Sequence, residues 1–196
     1  MKRIIFLGFN KTATLSLHQF FSHNGYQAIH WVEECSGKFL ALQMKRNIES
    51  KVPVLDGFSS YQVFSDLTYV DYNTIIEGNE YYRVLAQEYS DSLFILNTRP
   101  TDDWLLSRLR HSNLVERYRK ILNCNLVQLI EHWRNLKESR ESEIEDFFSD
   151  ASNFMKFDIT EGFDSMLDFI SSHGFAISHR AFPHENKRSD SSHQSM

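Results

Sequence analysis

A loop rich in hydroxyl residues and containing one lysine follows the first apolar run of the chain. Residues 4–7 read Ile-Ile-Phe-Leu, and the loop after them contains Lys11, Thr12, Thr14 and Ser16. A strand that passes into a helix through such a loop directs several backbone N–H groups, with the positive end of the helix dipole, at one point. The loop therefore predicts an anion-binding site in which Lys11 is the charged side chain.

The position of Lys11 distinguishes this loop from a Walker A loop. In the Walker pattern a longer spacer separates the first glycine from a Gly-Lys-Ser/Thr sequence at the start of the helix. Here Lys11 follows Gly8 closely, and Ala13 and Thr14 occupy the positions where that pattern requires glycine and lysine. The interpretation of this loop as an ATP site is therefore weakened, because the residues that define such a site are absent from it.

A second basic residue ends a strongly apolar run. Residues 93–98, Leu-Phe-Ile-Leu-Asn-Thr, predict a buried strand that Arg99 and Pro100 terminate. A guanidinium can hold a phosphate through two parallel hydrogen bonds and does not lose its charge. Ser107 follows two turns into the next predicted helix, so Arg99 and Ser107 together predict a second phosphate pocket, separate from that of Lys11.

Apolar runs alternate with segments of helical period along the chain. Strands are predicted at residues 4–7, 26–31, 52–55, 93–98 and 153–159. Helices are predicted through residues 17–21, 36–44, 80–89, 101–108, 114–136 and 163–173, with Ser36 and either Thr101 or Asp102 as caps. This alternation indicates the α/β class, as a three-layer α/β/α fold with a mostly parallel central sheet.

Two segments carry no clear strand signal. Residues 58–78 are aromatic, polar and poorly periodic, which predicts a partly irregular region of the kind that forms binding loops. The charged run 137–146 is interpreted as a solvated helix face or end. Because ligands of parallel sheets lie at the carboxyl ends of the strands, we expect the Lys11 loop, residues 56–66 and Arg99 on one rim.

Composition and charge narrow the class of protein. The 196 residues predict a single domain over residues 1–187, followed by a disordered Ser-rich tail at 188–196. A net charge of −5 argues against a nucleic-acid partner, and no apolar stretch is long enough for membrane insertion. The short N-terminal apolar run is unlike a secretion signal, which predicts a cytoplasmic location. Cys35 and Cys124 are expected to be reduced, buried thiols, and no zinc site is indicated.

These motifs resemble those of one enzyme family. Residues 10–17, Asn-Lys-Thr-Ala-Thr-Leu-Ser-Leu, resemble the Pro-Lys-Thr-Gly-Thr-Thr-Ser-Leu loop with which sulfotransferases hold the 5′-phosphosulfate of 3′-phosphoadenosine 5′-phosphosulfate (PAPS). Residues 94–100, with Trp104 and Ser107, are similar to the 3′-phosphate motif of that family. Residues 154–174 are similar to its closing strand and helix, so the resemblance runs from residue 4 to about residue 187.

The resemblance implies a P-loop NTPase-like sulfotransferase fold and the metal-free transfer of a sulfuryl group from PAPS to a hydroxyl or amine. By this resemblance Lys11 stabilises charge on the bridging oxygen of the leaving group, while Arg99 and Ser107 hold the 3′-phosphate. Ala13 stands where the family has glycine, and Leu15 stands where it has a hydroxyl residue. The implied donor-binding residues are Asn10, Lys11, Thr12, Ala13, Thr14, Leu15, Ser16, Arg99 and Ser107.

Sulfuryl transfer also requires a base that accepts the proton of the attacking hydroxyl. Asp66 occupies the place where relatives carry an aspartate in an Asp-x-Pro-like turn, and it is the first candidate; the alternative is an aspartate that only caps a turn. Asp56 is the second candidate, and no histidine is assigned the role. His111 is expected to line the 3′-phosphate pocket. Residues 182–187 resemble a terminal stretch of some bacterial-type members, in which Lys187 would contact a phosphate.

The acceptor and the exact activity stay open at this point. Aromatic residues between 58 and 89 are compatible with a small-molecule, sugar or lipid acceptor, although core packing explains many of them equally well. A basic cluster after Ser107 either extends the field around the cofactor, faces an anionic acceptor or is a solvated surface; its members are Arg108, Arg110, Arg117, Arg119 and Lys120. The alternative functions are a P-loop kinase that uses a nucleoside triphosphate and Mg²⁺, and a non-catalytic nucleotide-binding protein.

Overall fold

A parallel sheet of five strands forms the centre of the molecule. The computed structural model describes residues 1–183. The strands are β1 (Ile4–Phe6), β2 (Ala28–His30), β3 (Val63–Ser65), β4 (Thr68–Val70), β5 (Ile75–Glu77), β6 (Leu93–Thr98) and β7 (Phe154–Asp158). The sheet has the order β2-β3-β1-β6-β7, and every neighbouring pair in it is parallel. The short strands β4 and β5 form a separate antiparallel pair.

Helices cover both faces of this sheet. They are α1 (Thr14–His23), α2 (Leu40–Glu49), α3 (Tyr82–Glu88), α4 (Thr101–Leu109), α5 (Ser112–Leu122), α6 (Leu126–Phe147) and α7 (Asp164–Ser172). Successive residues of a strand point to opposite faces. Ile5 accordingly packs in a core with residues of α2, α3 and α6, while Ile4 and Phe6 pack in another with residues of α1 and α7. The predicted α/β fold with a central parallel sheet is confirmed.

A third apolar cluster lies beside the sheet and joins α4, α5 and α6. It contains Trp104, Tyr118 and Trp133, all fully buried, and it includes Phe9 from the loop after β1. The rings of Phe9 and Trp104 lie 5.3 Å apart between centroids. Through Phe9, the cluster therefore packs the start of the Lys11 loop against α4, α5 and α6.

The strand predicted at residues 52–55 is wrong. Val54 and Leu55 are buried, but they lie in turns and pair with side chains instead of a neighbouring strand. The backbone N–H of Val54 donates to a Glu88 carboxylate oxygen at 2.7 Å, and that of Leu55 donates to the Tyr89 hydroxyl at 3.1 Å. Pro53 has no N–H to contribute to a strand ladder. The apolar run indicates only that these residues are buried in the core, and buried turns have such runs as well as strands.

The irregular region predicted at residues 58–78 contains β3, β4 and β5. Each of these strands has only three residues, which is too short for an alternating pattern to be recognised. The missed strand β3 matters for the site, because β3 is an inner strand of the sheet next to β1. Asp66 follows β3 directly, whereas Asp56 lies exposed in a turn away from the strand ends.

The single helix predicted at residues 114–136 is also wrong, because two helices, α5 and α6, share that range. Asn123 between them is in the left-handed conformation with φ of 47°, which ends α5. The side chain of Asn125 then accepts from the N–H of Gln128, whose own side chain accepts from the N–H of Asn125. This reciprocal capping box starts α6.

The charged run 137–146 continues α6 and is not only a solvated face. Lys137 and Glu141 are buried, with Lys137 Nζ 2.8 Å from Glu141 Oε1, and the Thr98 hydroxyl donates to that carboxylate at 2.7 Å. The pair therefore connects α6 to the end of β6. Removing both charges from water costs free energy, and the ion pair together with the hydrogen bond from Thr98 offsets that cost.

Smaller predictions also differ from the structure. Helix α2 follows Phe39 and α4 follows Pro100, in both cases without a side-chain cap, so Ser36, Thr101 and Asp102 do not have the expected role. Cys35 is exposed and Cys124 half-buried, and both are free thiols, so the prediction of burial was wrong. The stretch 184–187, including Lys187, and the tail at 188–196 lie outside the described residues.

Candidate active site

The site lies where the strands of the parallel sheet end. His30 is the last residue of β2, Asp66 follows β3, Arg99 follows β6 and Ile159 follows β7. All four line one cavity together with Lys11 from the loop after β1. The expectation of one rim is met for the Lys11 loop, Asp66 and Arg99, which are far apart in sequence.

The Lys11 loop has a backbone shaped for an anion. Lys11 and Ala13 are left-handed, with φ of 70° and 62°, and α1 begins at Thr14 without a side-chain cap. Within residues 1–183, no backbone N–H from 11 to 16 finds a hydrogen-bond acceptor. Unpaired N–H groups at the positive end of a helix form an anion site.

A buried asparagine holds the loop against the sheet. Asn97 Oδ1 accepts from the N–H of Gly8 at 2.9 Å, and Asn97 Nδ2 donates to the carbonyl oxygen of Thr12 at 2.8 Å. A Cβ on Gly8 would lie 2.0 Å from the Asn97 carbonyl oxygen, so only glycine permits this approach. The loop after β1 is therefore anchored to β6, the strand that Arg99 follows.

Two predicted donor-binding residues use their side chains to hold the loop. The hydroxyl of Thr12 is fully buried and donates to the carbonyl oxygen of Phe9 at 2.6 Å. Asn10 accepts twice, from Arg108 Nε at its side-chain oxygen, 2.8 Å away, and from Trp104 Nε1 at its carbonyl oxygen, 2.9 Å away. Thr12 can thus reach a ligand only through its backbone amide.

Arg108 links this loop to the β4–β5 pair. Its guanidinium is fully buried, and its Nη2 lies 2.6 Å from Glu77 Oε1. Tyr118 also donates to Glu77 Oε1, and Thr68 donates to the other carboxylate oxygen at 2.9 Å. A buried ion pair is tolerated when further hydrogen bonds satisfy it. Arg108 therefore belongs to the framework of the site, and the surface role considered for it was wrong.

The cavity at the strand ends has a volume of about 440 Å³ and is lined by most of the predicted donor-binding residues, after which it is called the donor cavity. The Nε of Arg99 is buried and has no acceptor among the described residues, although its Nη1 lies 3.5 Å from the Lys11 carbonyl oxygen. Residues from the predicted set that line the cavity are Lys11, Ala13, Thr14, Leu15, Ser16, Arg99 and Ser107. Arg110, Asp103, Leu106 and Ile159 line it as well without having been assigned to it.

A second cavity of about 340 Å³ lies on the other side of Lys11. It is lined by residues of β4 and α5 and by Asn10, which does not line the donor cavity. His111 also lines this second cavity and not the donor cavity, contrary to the expectation for it, because it lies just before α5. Lys11, His30 and Asp66 line both cavities and so mark their boundary.

Asp66 has the properties of a base at neutral pH. Burial raises the pKa of its carboxyl to about 7, opposed by the hydrogen bond from the N–H of Thr68. Burial also lowers the pKa of His30 to about 4, with the Lys11 charge adding to that effect. Although His30 Nε2 lies 3.4 Å from Asp66 Oδ2, these pKa values leave both groups uncharged between about pH 4 and 7, so the contact is not a salt bridge in that range.

His30 is the neighbour of Asp66 that the sequence did not reveal. Its Nε2 also lies 3.2 Å from the Thr14 hydroxyl at the start of α1. A histidine without a recognisable spacing gives no signal in a single sequence, and only the alignment of β2 beside β3 places it here. Lys11 completes the group: burial lowers its pKa, the Asp66 charge opposes this, and Arg108 and Arg99 add to the lowering.

The described residues hold no metal-like cluster and no membrane span. In residues 1–183 no group of three or more His, Cys, Asp or Glu side chains is placed to hold a metal ion. Among the helices that the structure describes, none is both long and apolar enough to cross a bilayer.

The left-handed conformation of Ala13 leads to a prediction. An L-residue with a Cβ in this region costs about 1–2 kcal/mol, whereas glycine adopts it freely. We expect Ala13→Gly to raise the free energy of unfolding by up to about 1 kcal/mol, the gain being reduced by the flexibility of glycine in the unfolded chain. Urea denaturation tests this, with Ala41→Gly inside α2 as the control that should lose stability. A loss for Ala13→Gly would mean that the loop conformation is not strained.

The fold and the site together define an α/β protein with an anion-binding loop and a cavity at the carboxyl ends of a parallel sheet. A family model described as a sulfotransferase domain matches residues 3–153. The chain therefore belongs to the sulfotransferase domain family, which confirms the resemblance and makes the protein a PAPS-dependent transferase enzyme. A search of the curated proteins found no significant match. The strand β7 and the helix α7 lie beyond the matched region.

Proposed function

We propose that this protein transfers the sulfuryl group of PAPS to a hydroxyl of a small acceptor, with the donor in the cavity of Arg99 and Ser107 and the acceptor in the second cavity. The observation that carries this proposal is the boundary between the cavities, where Lys11, His30 and Asp66 line both. Two ligands that exchange a group must meet at their reacting atoms. The boundary residues are a cation, a neutral imidazole and a carboxylate with a pKa of about 7.

The residues of the donor cavity fit a ligand with two separate phosphate groups. The unpaired amides of residues 11–16 and the hydroxyls of Thr14 and Ser16 suit the 5′-phosphosulfate. Arg99, whose buried Nε lacks an acceptor in the described part of the chain, and Ser107 suit the 3′-phosphate. Leu106 and Ile159 offer apolar contact to a purine ring. When bound, PAPS supplies an activated sulfuryl group and a stable bisphosphate leaving group.

The chain's own residues would serve the reaction in three ways. Lys11 donates to the oxygen on which charge develops as the sulfur–oxygen bond breaks, an electrostatic role that needs no metal ion. Asp66 in its ionised form accepts the proton of the attacking hydroxyl. His30, neutral at physiological pH, can hydrogen-bond to Asp66 and help to orient it.

Two further proposals accompany this function. The described part of the predicted domain, residues 1–183, folds as one domain, since β7 pairs in parallel with β6 and extends the same sheet beyond the family match. The acceptor is a small molecule or a sugar in preference to a lipid, because the second cavity carries several polar side chains. The cytoplasmic location stays a prediction from the sequence.

Ligand binding to the native state tests the donor assignment. A ligand that binds only the folded protein raises its melting temperature. We expect 3′,5′-adenosine bisphosphate to stabilise the protein, and 5′-AMP and Mg·ATP to have much smaller effects. Arg99→Gln should remove the preference for the 3′-phosphorylated ligand, by about tenfold to a hundredfold in affinity.

The matched control is Arg46→Gln, because Arg46 is exposed on α2 and lines neither cavity. Stronger stabilisation by Mg·ATP than by the bisphosphate would favour a kinase and contradict the proposal. Binding of the bisphosphate without any turnover of PAPS would indicate a nucleotide-binding protein.

A further inference from the structure

The second cavity is lined by an arginine that forms no ion pair within residues 1–183. Arg117 of α5 lines this cavity, and its Nη1 donates to the carbonyl oxygen of Val70 at 2.9 Å. Its Nε is buried and has no acceptor within residues 1–183. A buried donor without a partner costs about 1–3 kcal/mol. Because Arg117 lines a cavity, a ligand bound there would supply the missing acceptor.

Arg117 also lacks a carboxylate partner in the part of the chain that the structure describes. Several other arginines do have one within ion-pair distance: Arg108, Arg134, Arg140 and Arg180. Asp71 lies close enough to Arg117 for its pKa to be affected. Its carboxylate is nevertheless occupied by the hydroxyl of Tyr69 and the N–H groups of Asn73 and Thr74.

The charges that line the second cavity leave its outer part positive. Asp66 is the carboxylate among the described lining residues, and it lies at the boundary with the donor cavity, as Lys11 does. Arg117 is the cation that lines the cavity away from that boundary, in company with His111. Its guanidinium carbon lies 5.3 Å from the centre of the Tyr72 ring, and Lys120 Nζ lies 5.0 Å from the same ring. An anionic group would be attracted to this end.

Trp31 gives the cavity an exposed aromatic wall. It is left-handed, with φ of 62°, and it is 41% exposed although it contacts Phe39 with ring centroids 5.0 Å apart. A bulky residue in this conformation carries strain, and strain of this kind is found at ligand sites. An exposed indole beside polar groups is a surface on which a flat ring can stack.

We propose that the acceptor is a small hydroxylated compound that carries an anionic group and a ring. The inference rests on the proposed function. The hydroxyl lies at Asp66 and Lys11, the ring packs on Trp31 and the anionic group binds Arg117. A volume of about 340 Å³ suits a compound of one or two rings. Aryl carboxylates and sugar acids share this chemistry.

The transfer step is balanced with these groups alone. The acceptor oxygen forms a bond to sulfur, and the bond between sulfur and the bridging phosphate oxygen breaks. The electron pair of the broken bond stays on the phosphate, next to Lys11. The acceptor proton moves to the Asp66 carboxylate, so the products are the sulfated acceptor and 3′,5′-adenosine bisphosphate.

Calorimetry on the protein saturated with 3′,5′-adenosine bisphosphate tests the proposal. The probes are 4-hydroxyphenylacetate and glucuronate, each compared with its neutral amide. We expect at least one acid to bind about tenfold to a hundredfold more tightly than its amide. The acid that does so distinguishes an aryl acceptor from a sugar acceptor. Arg117→Gln should abolish this preference, and Arg117→Lys should keep part of it.

Arg83→Gln is the matched control, because Arg83 is exposed on α3 and lines neither cavity. Equal binding of acid and amide, no binding of any probe, or a preference that survives Arg117→Gln would overturn the proposal while leaving the donor assignment intact. Failure to bind the bisphosphate itself would overturn the proposed function, and the acceptor proposal with it. The preference of the unaltered protein is informative even where Arg117→Gln fails to fold.

Discussion

Replacing Lys11 by methionine is expected to reduce kcat by about 100- to 1,000-fold, the usual loss when one donor to a developing charge is removed. Lys11 lies at the boundary of both cavities, where the bond to the leaving group breaks in the proposed reaction. Its left-handed backbone is compatible with methionine to the same degree as with lysine, so the loop should keep its shape. Decay of radiolabelled PAPS without acceptor measures the effect before the acceptor is known.

Binding separates this role of Lys11 from simple loss of the ligand. The affinity for 3′,5′-adenosine bisphosphate should fall by no more than about tenfold, since the amides of residues 11–16 and Arg99 remain. Lys45→Met, on the exposed side of α2, is the matched control and should leave both measurements unchanged. A Lys11→Met protein with full kcat would contradict the proposed role.

Replacing Asp66 by asparagine should lower kcat/KM by about 100- to 10,000-fold, the range that a positioned base contributes. In the unaltered enzyme, kcat/KM should rise with pH and level off above about 7, because the pKa of the Asp66 carboxyl in the free enzyme is about 7. Asparagine accepts the same left-handed backbone, at φ of 54°, and its side-chain oxygen can keep the bond from the N–H of Thr68. The measurement is the pH profile of both proteins.

The same substitution should increase stability above neutral pH. A carboxyl whose pKa is raised from 3.8 to about 7 on folding binds its proton more tightly in the folded state. Stability from this group is therefore highest below pH 4, falls as the pH rises to 7 and is constant above that. Asparagine does not ionise, so Asp66→Asn removes this decrease in stability. The free energy of unfolding should therefore increase on the order of 1–3 kcal/mol at pH 8 and less at pH 5. Urea denaturation at the two pH values measures it.

Asp56→Asn is the control for both measurements, because Asp56 is exposed and lines neither cavity. Activity that survives in Asp66→Asn together with higher stability would mean that Asp66 only caps its turn. Loss of activity in Asp56→Asn would reinstate the second candidate.

The positions of most residues that line the first cavity could be predicted from sequence because these residues lie next to strong local signals. The runs before Lys11 and Arg99 are continuous and apolar, as expected for inner strands of a parallel sheet, and both strands were found. The rule that ligands lie at the carboxyl ends of strands then brings Lys11 and Arg99 together. Residues 52–55 show the limit of the same signal, since a buried turn has the same composition.

The elements that were missed are those whose local signal is weak or was misjudged. The break between α5 and α6 was visible in Asn125 and Gln128, which have the spacing of a capping box, but the apolar positions on either side suggested one helix. The strand β3 is too short to show a period, and it gains its place from its neighbours β1 and β2.

The sequence by itself determined most of the alternation of strands and helices and placed Lys11 after β1, Arg99 after β6 and Ser107 on the next helix, because these features depend on interactions between residues close along the chain. Only the tertiary structure decided which side chains line the two cavities and which hold the surrounding framework. Asn10 and Arg108 hold the loop, while His30 joins Asp66 at the boundary of the cavities. These assignments depend on contacts between distant segments and on burial, and burial also raises the pKa of Asp66. Neither the contacts nor the burial can be predicted from residues that are neighbours along the chain.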